Sequence, residues 1–454
     1  MRIRIQGGRP LQGSCQVPAD KSILHRALLL SSVASGESRI SARDPGEDNA
    51  TTVRALQALG VPIEESREAD GGVVWRVEGV GLKGLTSPPE PIDCANSGTT
   101  MRLLAGLLVG ANVPAELRGD ASLSRRPMGR VCEPLRELGG AVEGRREGER
   151  ELPPLRVSSS QFKGGSHLSQ LASAQVKSAL LLAGVCAGKS LQVSEHGLSR
   201  DHTERMLAVM GAPIRAHSSR SGNTAELGVT TRLEAKDHEV PGDLSAAAYL
   251  MAAALLVPDS RIEIPSVGLN PTRTGLLELL EEYQADVHVS RWRVQAGEPM
   301  GTLVSSTTPQ LRALRPGGHP TTASGQQIPL LIDELVLLAA IASQAEGPTL
   351  IRDAAELRVK ESDRIAKTAE LLAAFGVRME PLADGFIVEG PQTLQPAELD
   401  VRADHRLALT AAVLALASPG ESVLDGFEST SISFPGFVEV AQGLGAAIET
   451  EPRA

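Results

Sequence analysis

The sequence predicts an α/β protein built from six copies of one unit, three in each half of the chain. Three observations predict it: the same order of elements recurs at steps of about 77 residues, one helix in each copy is apolar nearly all round, and short alternating segments lie between the helices. Each copy opens on a polar or charged cluster and runs into a small-residue apolar helix. A Gly-containing turn, a β-rich segment, an Arg-bearing loop and a second helix ending near Gly then follow. The copies run from Lys21 to Gly60, Thr99 to Gly139, Gln175 to Gly211, Asp243 to about Gln284, Asp333 to Gly376, and His405 to Gly445.

The first helices are apolar over Leu103 to Leu108, Ala179 to Val185, Ala246 to Leu256, Leu335 to Ile341 and Ala408 to Leu416. Helices apolar on every face must be buried. The second helices, such as Thr51 to Leu59 and Arg364 to Phe375, carry polar residues at helical spacing and should lie outside. Segments such as Leu191-Gln-Val-Ser and Arg261-Ile-Glu-Ile alternate, as strands with one packed and one wet face do. Sheets around buried helices follow. A break is expected at Ala235 to Gly242, between copies three and four. The segment from Gly297 to Gln327, rich in Gly, Pro, Ser and Thr, is expected to be a surface insertion.

The chain carries 45 Lys and Arg against 55 Asp and Glu, a formal charge of −10, which argues against a nucleic-acid partner. Aromatic residues make up 2 %, too few for stacking platforms, so recognition should be electrostatic. Cys15, Cys94, Cys132 and Cys186 lack metal or disulfide spacing and read as free thiols; no metal is implied. The longest apolar stretch, around Ala246 to Val257, is too short to span a bilayer, and Met1 to Gly8 has no signal-peptide core. A soluble, cytoplasmic protein without a membrane partner is expected. No dinucleotide fingerprint, P-loop or nucleophile elbow occurs, so no cofactor is expected.

Chemistry should sit at the starts of the buried helices. Lys21, Ser22 and Arg26 form one cluster, Ser22 and Arg26 being one turn apart. Asn96-Ser97-Gly98-Thr99-Thr100-Met101-Arg102 forms a second, with Asn96 or Ser97 as N-cap. Ser173-Ala174-Gln175 with Lys177 forms a third. Helix N-termini offer unpaired N–H groups and partial positive charge. Such residues also cap helices with no ligand present. The argument for a multi-anion pocket is the recurrence of Arg126, Arg200, Arg273, Lys360, Arg364 and Arg406 at the same part of the repeat in an acidic chain. Of the eight lysines, Lys21, Lys177 and Lys360 lie in these clusters, and an ammonium can exchange a proton. Asp333-Glu334 opens one helix, and Arg358-Val-Lys360-Glu361-Ser-Asp-Arg364 places Lys360 and Arg364 on one face beside Glu361. These carboxylates read either as salt-bridge partners or as a general acid and base. His405 can cap, bind or carry protons.

Ten motifs in register then carry a specific resemblance. They are Asp20-Lys-Ser-Ile-Leu-His-Arg26, Asn96-Ser-Gly-Thr-Thr-Met-Arg102, Arg126-Pro-Met-Gly, Ser173-Ala-Gln-Val-Lys177, Arg200-Asp-His-Thr-Glu204, Pro241-Gly-Asp243, Asn270-Pro-Thr-Arg-Thr-Gly275, Asp333-Glu334, Arg358 to Arg364, and Asp404-His-Arg406. Together, and over nearly the whole chain, they resemble the 5-enolpyruvylshikimate-3-phosphate synthase family, the 3-phosphoshikimate 1-carboxyvinyltransferases.

The resemblance implies a two-domain inside-out α/β barrel of the enolpyruvyl transferase type, with six βαβαββ repeats, three per domain. Residues 1–19 and 242–454 would form one domain and 20–241 the other, with the ligands in the cleft between. It implies transfer of the enolpyruvyl group of phosphoenolpyruvate to the 5-hydroxyl of shikimate 3-phosphate with release of phosphate, by addition and elimination, in chorismate synthesis. It also implies small-molecule partners only, no metal or organic cofactor, and a monomer. Carried over by position, Lys21, Ser22, Arg26, Ser173, Ala174, Gln175, Arg200, Asp333 and Lys360 face shikimate 3-phosphate. Lys21, Asn96 to Gly98, Arg126, Gln175, Arg364 and Arg406 face phosphoenolpyruvate. Asp333, alone or with Lys21, is the expected base for the 5-hydroxyl; Glu361 or Lys21 is the expected proton donor to the methylene.

The chain departs from one branch of the family at Ser431-Ile-Ser-Phe-Pro435, which has no cation, and at Ala174, which replaces a serine and leaves only backbone for contact. Gly98 leaves room for the inhibitor glyphosate, so sensitivity is expected. One alternative is UDP-N-acetylglucosamine enolpyruvyl transferase, which carries a reactive Cys where Gly119 to Pro127 has none. The other is a non-catalytic repeat scaffold binding a phosphorylated ligand.

Overall fold

A computed structural model describes residues 1–68, 71–170, 172–219, 222–315 and 317–451. They form two compact units. Unit 1 comprises Met1–Pro18, Gly242–Arg293 and the chain from Pro299 onward; unit 2 comprises Ala19–Pro241 and Val294–Glu298. Each has its own hydrophobic core, and each core holds three of the six apolar helices.

These helices are α1 (Lys21–Ser32), α2 (Gly98–Ala111), α3 (Ala174–Ala187), α4 (Leu244–Leu256), α5 (Leu335–Ala342) and α6 (His405–Ala417). All residues of α5, and all but one to three residues near the ends of the others, are buried. Their composition explains both the burial and the packing. Small residues let backbones approach: a Cβ added at Gly106 or Gly110 of α2 would sit 2.1 Å or 2.3 Å from a backbone oxygen of α3, at Ala179 and Ala183. The starts are set by acceptors. Asp20, Ser97, Asp243 and Asp404 each take first-turn N–H groups of α1, α2, α4 and α6 on their side chains.

Six sheets lie on these helices; one four-strand order recurs in all of them, and one sheet adds a fifth strand, Leu314–Arg315, at its edge. Strands Ile92–Asp93, Ala115–Arg118, Arg150–Ser158 and Ala141–Glu147 are neighbours in that order, the first pair parallel and the others antiparallel. Strands Gly165–Ser169, Leu191–Glu195, Gly222–Leu227 and Ile214–Ser219 repeat the pattern. Three sheets complete it with a strand from elsewhere in the chain. His238–Glu239 pairs parallel with Ser35–Arg43, and Gln12–Ser14 parallel with Arg261–Gly268. Arg2–Gln6 lies antiparallel between Glu421–Asp425 and Ala447–Glu451. The N-terminal residues therefore supply strands to two sheets of unit 1.

One expectation fails. The segment from Gly297 to Gln327 is not a surface insertion: Glu298–Ser306 is an inner strand between Val287–Gln295 and Arg261–Gly268, with all but its last residue buried. Its small residues serve packing, since a Cβ at Gly301 would meet Leu269 at 2.8 Å. Among the described residues no single helix is long and apolar enough to cross a membrane, and the bent apolar pair Gly325–Leu331 and Leu335–Ala342 has most of its residues in the unit 1 core.

Candidate active site

In unit 2 the starts of α1, α2 and α3 are tied together by the side chains expected to bind anions. Arg26 of α1 is buried. Its guanidinium donates to the Ser22 carbonyl (2.8 Å), to Ser178 Oγ of α3 (2.9 Å), to Thr203 Oγ1 (2.9 Å) and to the Ala174 carbonyl (3.4 Å). Burial lowers its pKa to about 10, which leaves it charged at neutral pH. Arg200 donates to Ser22 Oγ at 3.3 Å. Lys21, the first residue of α1, is ion-paired with Asp48 and remains more than a third exposed.

The α2 end is arranged around Gly98. Asn96 takes Arg126 Nη2 on its Oδ1 (2.7 Å) and donates to Asp120 (2.7 Å). Gln175 at the start of α3 accepts from Arg102 Nη1 (3.1 Å) and donates to Thr99 Oγ1 (3.0 Å). A Cβ at Gly98 would lie 2.8 Å from Arg102 Nη1 and 3.6 Å from Arg126 Nη1, so glycine there leaves both guanidiniums in place. Ser173 is the residue before α3, but its hydroxyl caps nothing; its N–H donates to Glu195 at 2.7 Å.

Unit 1 gathers a second set. Arg406 of α6 donates to the Asp333 carbonyl at 3.0 Å and pairs with its carboxylate at 3.3 Å. Burial alone would lower the Arg406 pKa, but Asp333 and other anions outweigh it and raise the value. Arg364 is buried and held by Asp404 at 2.8 Å and Glu361 at 2.7 Å. Asp404 also caps α6 through the Arg406 N–H (2.9 Å). Burial raises the Asp404 pKa, but Arg364 prevails and holds it below the ordinary Asp value. Burial, then the charge of Arg406, pushes His405 down to about 4, so its ring is neutral at physiological pH.

The expected unit 2 residues, and Asp333, Glu361, Arg364 and Arg406 of unit 1, lie at or beside these helix starts, and three details differ from expectation. Lys360 does not share a helix face with Arg364: it follows the short turn Ala355–Val359, pairs with Glu356, and the helix begins at Arg364 with Asp363 as cap. Lys177 does not reach a ligand surface: its Nζ is buried 3.1 Å from Glu195 and 2.9 Å from Glu204, so it braces α3 instead. The Ala174 carbonyl is taken by Arg26, which leaves its N–H at the helix start for a ligand. Arg102 and Glu334 lie in the candidate clusters, but neither is assigned a specific ligand role from the sequence. Both are buried, and burial, then the charge of Asp333, raises the Glu334 pKa; Ser245 donates to it from α4 and receives Arg273 at 2.6 Å. A lone charge inside an apolar helix start was the available signal. Ser431 and Ile432 lie in the turn Phe427–Ile432 and add no cation.

Two three-helix units with charged helix starts and this sheet order define the enolpyruvyl transferase fold. The enolpyruvyl transferase NikO from Streptomyces tendae has it too, at TM-score 0.72 with 19 % identity, covering 99 % of this chain and 98 % of that one. The model of the EPSP synthase family (3-phosphoshikimate 1-carboxyvinyltransferase) matches residues 5–441, and the chain belongs to that family. It is 45 % identical to the 3-phosphoshikimate 1-carboxyvinyltransferase of Synechococcus sp. strain JA-3-3Ab, over 97 % of this chain and 96 % of that one. The corresponding protein of Desulforudis audaxviator is 42 % identical over 98 % and 99 %. The EPSP synthase of Acinetobacter baumannii superposes at TM-score 0.87 with 36 % identity, covering 99 % of both chains.

Proposed function

We propose that the two sets of residues act on one pair of substrates, shikimate 3-phosphate and phosphoenolpyruvate, and carry out the family's enolpyruvyl transfer. The observation that carries this reading is that, inside each unit, the charged N-terminal ends of three inner helices are hydrogen-bonded to one another. A phosphomonoester, a phosphate and two carboxylates need that many fixed cations, and guanidinium forks suit oxyanions. Ser22, Arg26, Ser173, Ala174, Gln175, Arg200 and Lys360 hold the shikimate phosphate and ring. Asn96, Gly98, Arg126, Arg364 and Arg406 hold phosphoenolpyruvate, with Lys21 reaching both.

In the addition step the 5-oxygen bonds to C2 of phosphoenolpyruvate, Asp333 accepts the hydroxyl proton, and C3 gains a proton from Glu361 or Lys21. In the elimination step C3 returns that proton, the C2–O bond to phosphate breaks, and phosphate leaves with the electron pair. Guanidiniums fixed before the reaction stabilise the charge on the departing phosphate without reorganising.

A thiol mechanism has no support. Burial pushes Cys15, Cys94, Cys132 and Cys186 each up to about 12, so none is a thiolate at neutral pH. That disfavours the UDP-N-acetylglucosamine reading. A silent scaffold needs no Asp333 or Glu361 beside its cations. We also infer a monomeric cytoplasmic enzyme with small-molecule partners alone, consistent with its charge of −10. Phosphate release from phosphoenolpyruvate with shikimate 3-phosphate as acceptor tests the function. Release with UDP-N-acetylglucosamine instead, or with neither acceptor, overturns it.

A further inference from the structure

The opposite ends of α2 and α3 border an open hollow of about 490 Å³, within the usual range for small-molecule sites. Lys83, Lys163 and Lys189 line it, over a floor that includes Val109 and Phe162, both buried. Three of the eight lysines therefore meet at one hollow. They differ from the rest of their kind. Lys21, Lys177, Lys236, Lys360 and Lys367 are each ion-paired with a carboxylate, whereas among the described residues Lys83, Lys163 and Lys189 pair with none, in a chain with 55 acidic residues.

Capping the helix ends does not account for them. A helix C-terminus carries about half a negative charge, so two ends balance about one lysine of the three. Two of the last four carbonyls of each helix are already served by backbone: the Asn112 N–H donates to Leu108 and Val109, the Gly188 N–H to Gly184 and Val185, and the Val113 and Lys189 N–H groups to Leu108 and Gly184. Lys83 Nζ adds one contact, to the Gly110 carbonyl at 3.4 Å. Neither Lys nor Arg occurs in the four residues after α1, α4, α5 or α6, whereas Lys189 follows α3 directly. The excess charge is local to the hollow and faces solvent.

We propose that this cavity binds a small polyanion, a phosphate ester or a di- or tricarboxylate, at a site separate from the one at the helix starts. The ligand's charges pair with the three ammonium groups, and its body rests on Phe162 and Val109. A compact hollow of this size favours a small molecule over a macromolecular partner.

Hydrogen exchange of the full chain, with and without sodium tripolyphosphate at constant ionic strength, reads the site directly. Saturable protection is expected in residues 109–113, 160–163 and 187–190. The Lys83→Ala/Lys163→Ala/Lys189→Ala variant should weaken it by about tenfold or more, as loss of three partly screened charges implies, while Arg126→Ala leaves it unchanged. Citrate in place of tripolyphosphate separates a carboxylate preference from a phosphate one. Turnover of the triple variant, expected within about twofold of the unaltered chain on a charge change remote from the site, certifies its fold; Lys163→Glu serves if that variant does not fold. No protection in these segments, protection indifferent to the lysines, or protection that vanishes with Arg126→Ala instead would each overturn the proposal.

Discussion

The two units hold their cations by different means. In unit 2, Arg26, Arg102 and Arg126 are fixed by hydroxyls, amides and carbonyls, which orient a guanidinium without neutralising it. In unit 1, Arg364 and Arg406 are fixed by Asp404, Glu361 and Asp333, which cancel charge but bring proton acceptors to the same place. On the proposed roles, unit 2 attracts oxyanions and unit 1 manages protons as well. Lys21, one of the proposed unit 2 contacts, is paired with Asp48, and it is also given a proton-transfer role. Where chemistry needs a mobile proton, a carboxylate stands next to the cation.

The largest effects should come from breaking that division. Asp333→Ala and Glu361→Ala in unit 1 and Lys21→Met in unit 2 should each lower kcat by about 10²–10⁴, with a smaller change in KM. Near-normal rates of phosphate release in all three would remove the assigned roles. Next comes Asp404→Ala. It strips the buried Arg364 of its main partner and α6 of its cap, and should cost about 3–5 kcal/mol of stability by the usual penalty for an orphaned buried charge. Chemical denaturation measures it. The pH dependence has a fixed sign: a carboxylate whose folded pKa is depressed stabilises the fold above its unfolded value, and that contribution is lost as pH falls through the folded one. The parent should therefore lose stability below about pH 4 more steeply than Asp404→Asn. Equal slopes would show that Arg364 does not depend on Asp404.

How much of each unit is legible in the sequence follows from range. The sixfold repeat and the apolar helices are local patterns, so their periods survive in the sequence. So do the anion-binding starts, where cap and cation lie within seven residues, as from Asp20 to Arg26. The partners that decide a charge's role are distant. Lys177 looked like a ligand because Glu195 and Glu204 come from a later strand and helix. Arg364 draws on Asp404, forty residues on. Gln12–Ser14 and His238–Glu239 are strands too short for any pattern and exist only through their partners. The glycines and threonines around Gly301 imitate a loop because an inner strand under close packing needs small residues for a different reason.

A sharper comparison is available at Gly98, where an added methyl falls 2.8 Å from Arg102 Nη1. Gly98→Ala should displace that guanidinium and with it the hold on Gln175. Overpacking of this kind costs about 1–3 kcal/mol, which should appear as a raised KM for phosphoenolpyruvate and a weakened inhibition by glyphosate, with the KM for shikimate 3-phosphate little altered. Inhibition no weaker than in the unaltered chain would mean the space beside Gly98 is not the inhibitor's.

The smallest effect is expected at His405, and it tests the proton side of the comparison. Its ring is buried among Arg364, Arg406, Asp404 and Glu361, and titrates at about 4. Between pH 5.5 and 8 it is therefore neutral, and the proton inventory of the site should rest with Asp333, Glu361 and Lys21. Replacing it by Gln, which keeps a polar side chain at the start of α6, should lower kcat by less than about tenfold, the low end for a group outside general acid–base catalysis. The shape of the kcat profile across that range should not move. A limb near pH 6.5 that disappears in His405→Gln would show that the imidazole gains and loses a proton during turnover. The imidazole would then share the proton transfers proposed for Asp333, Glu361 and Lys21.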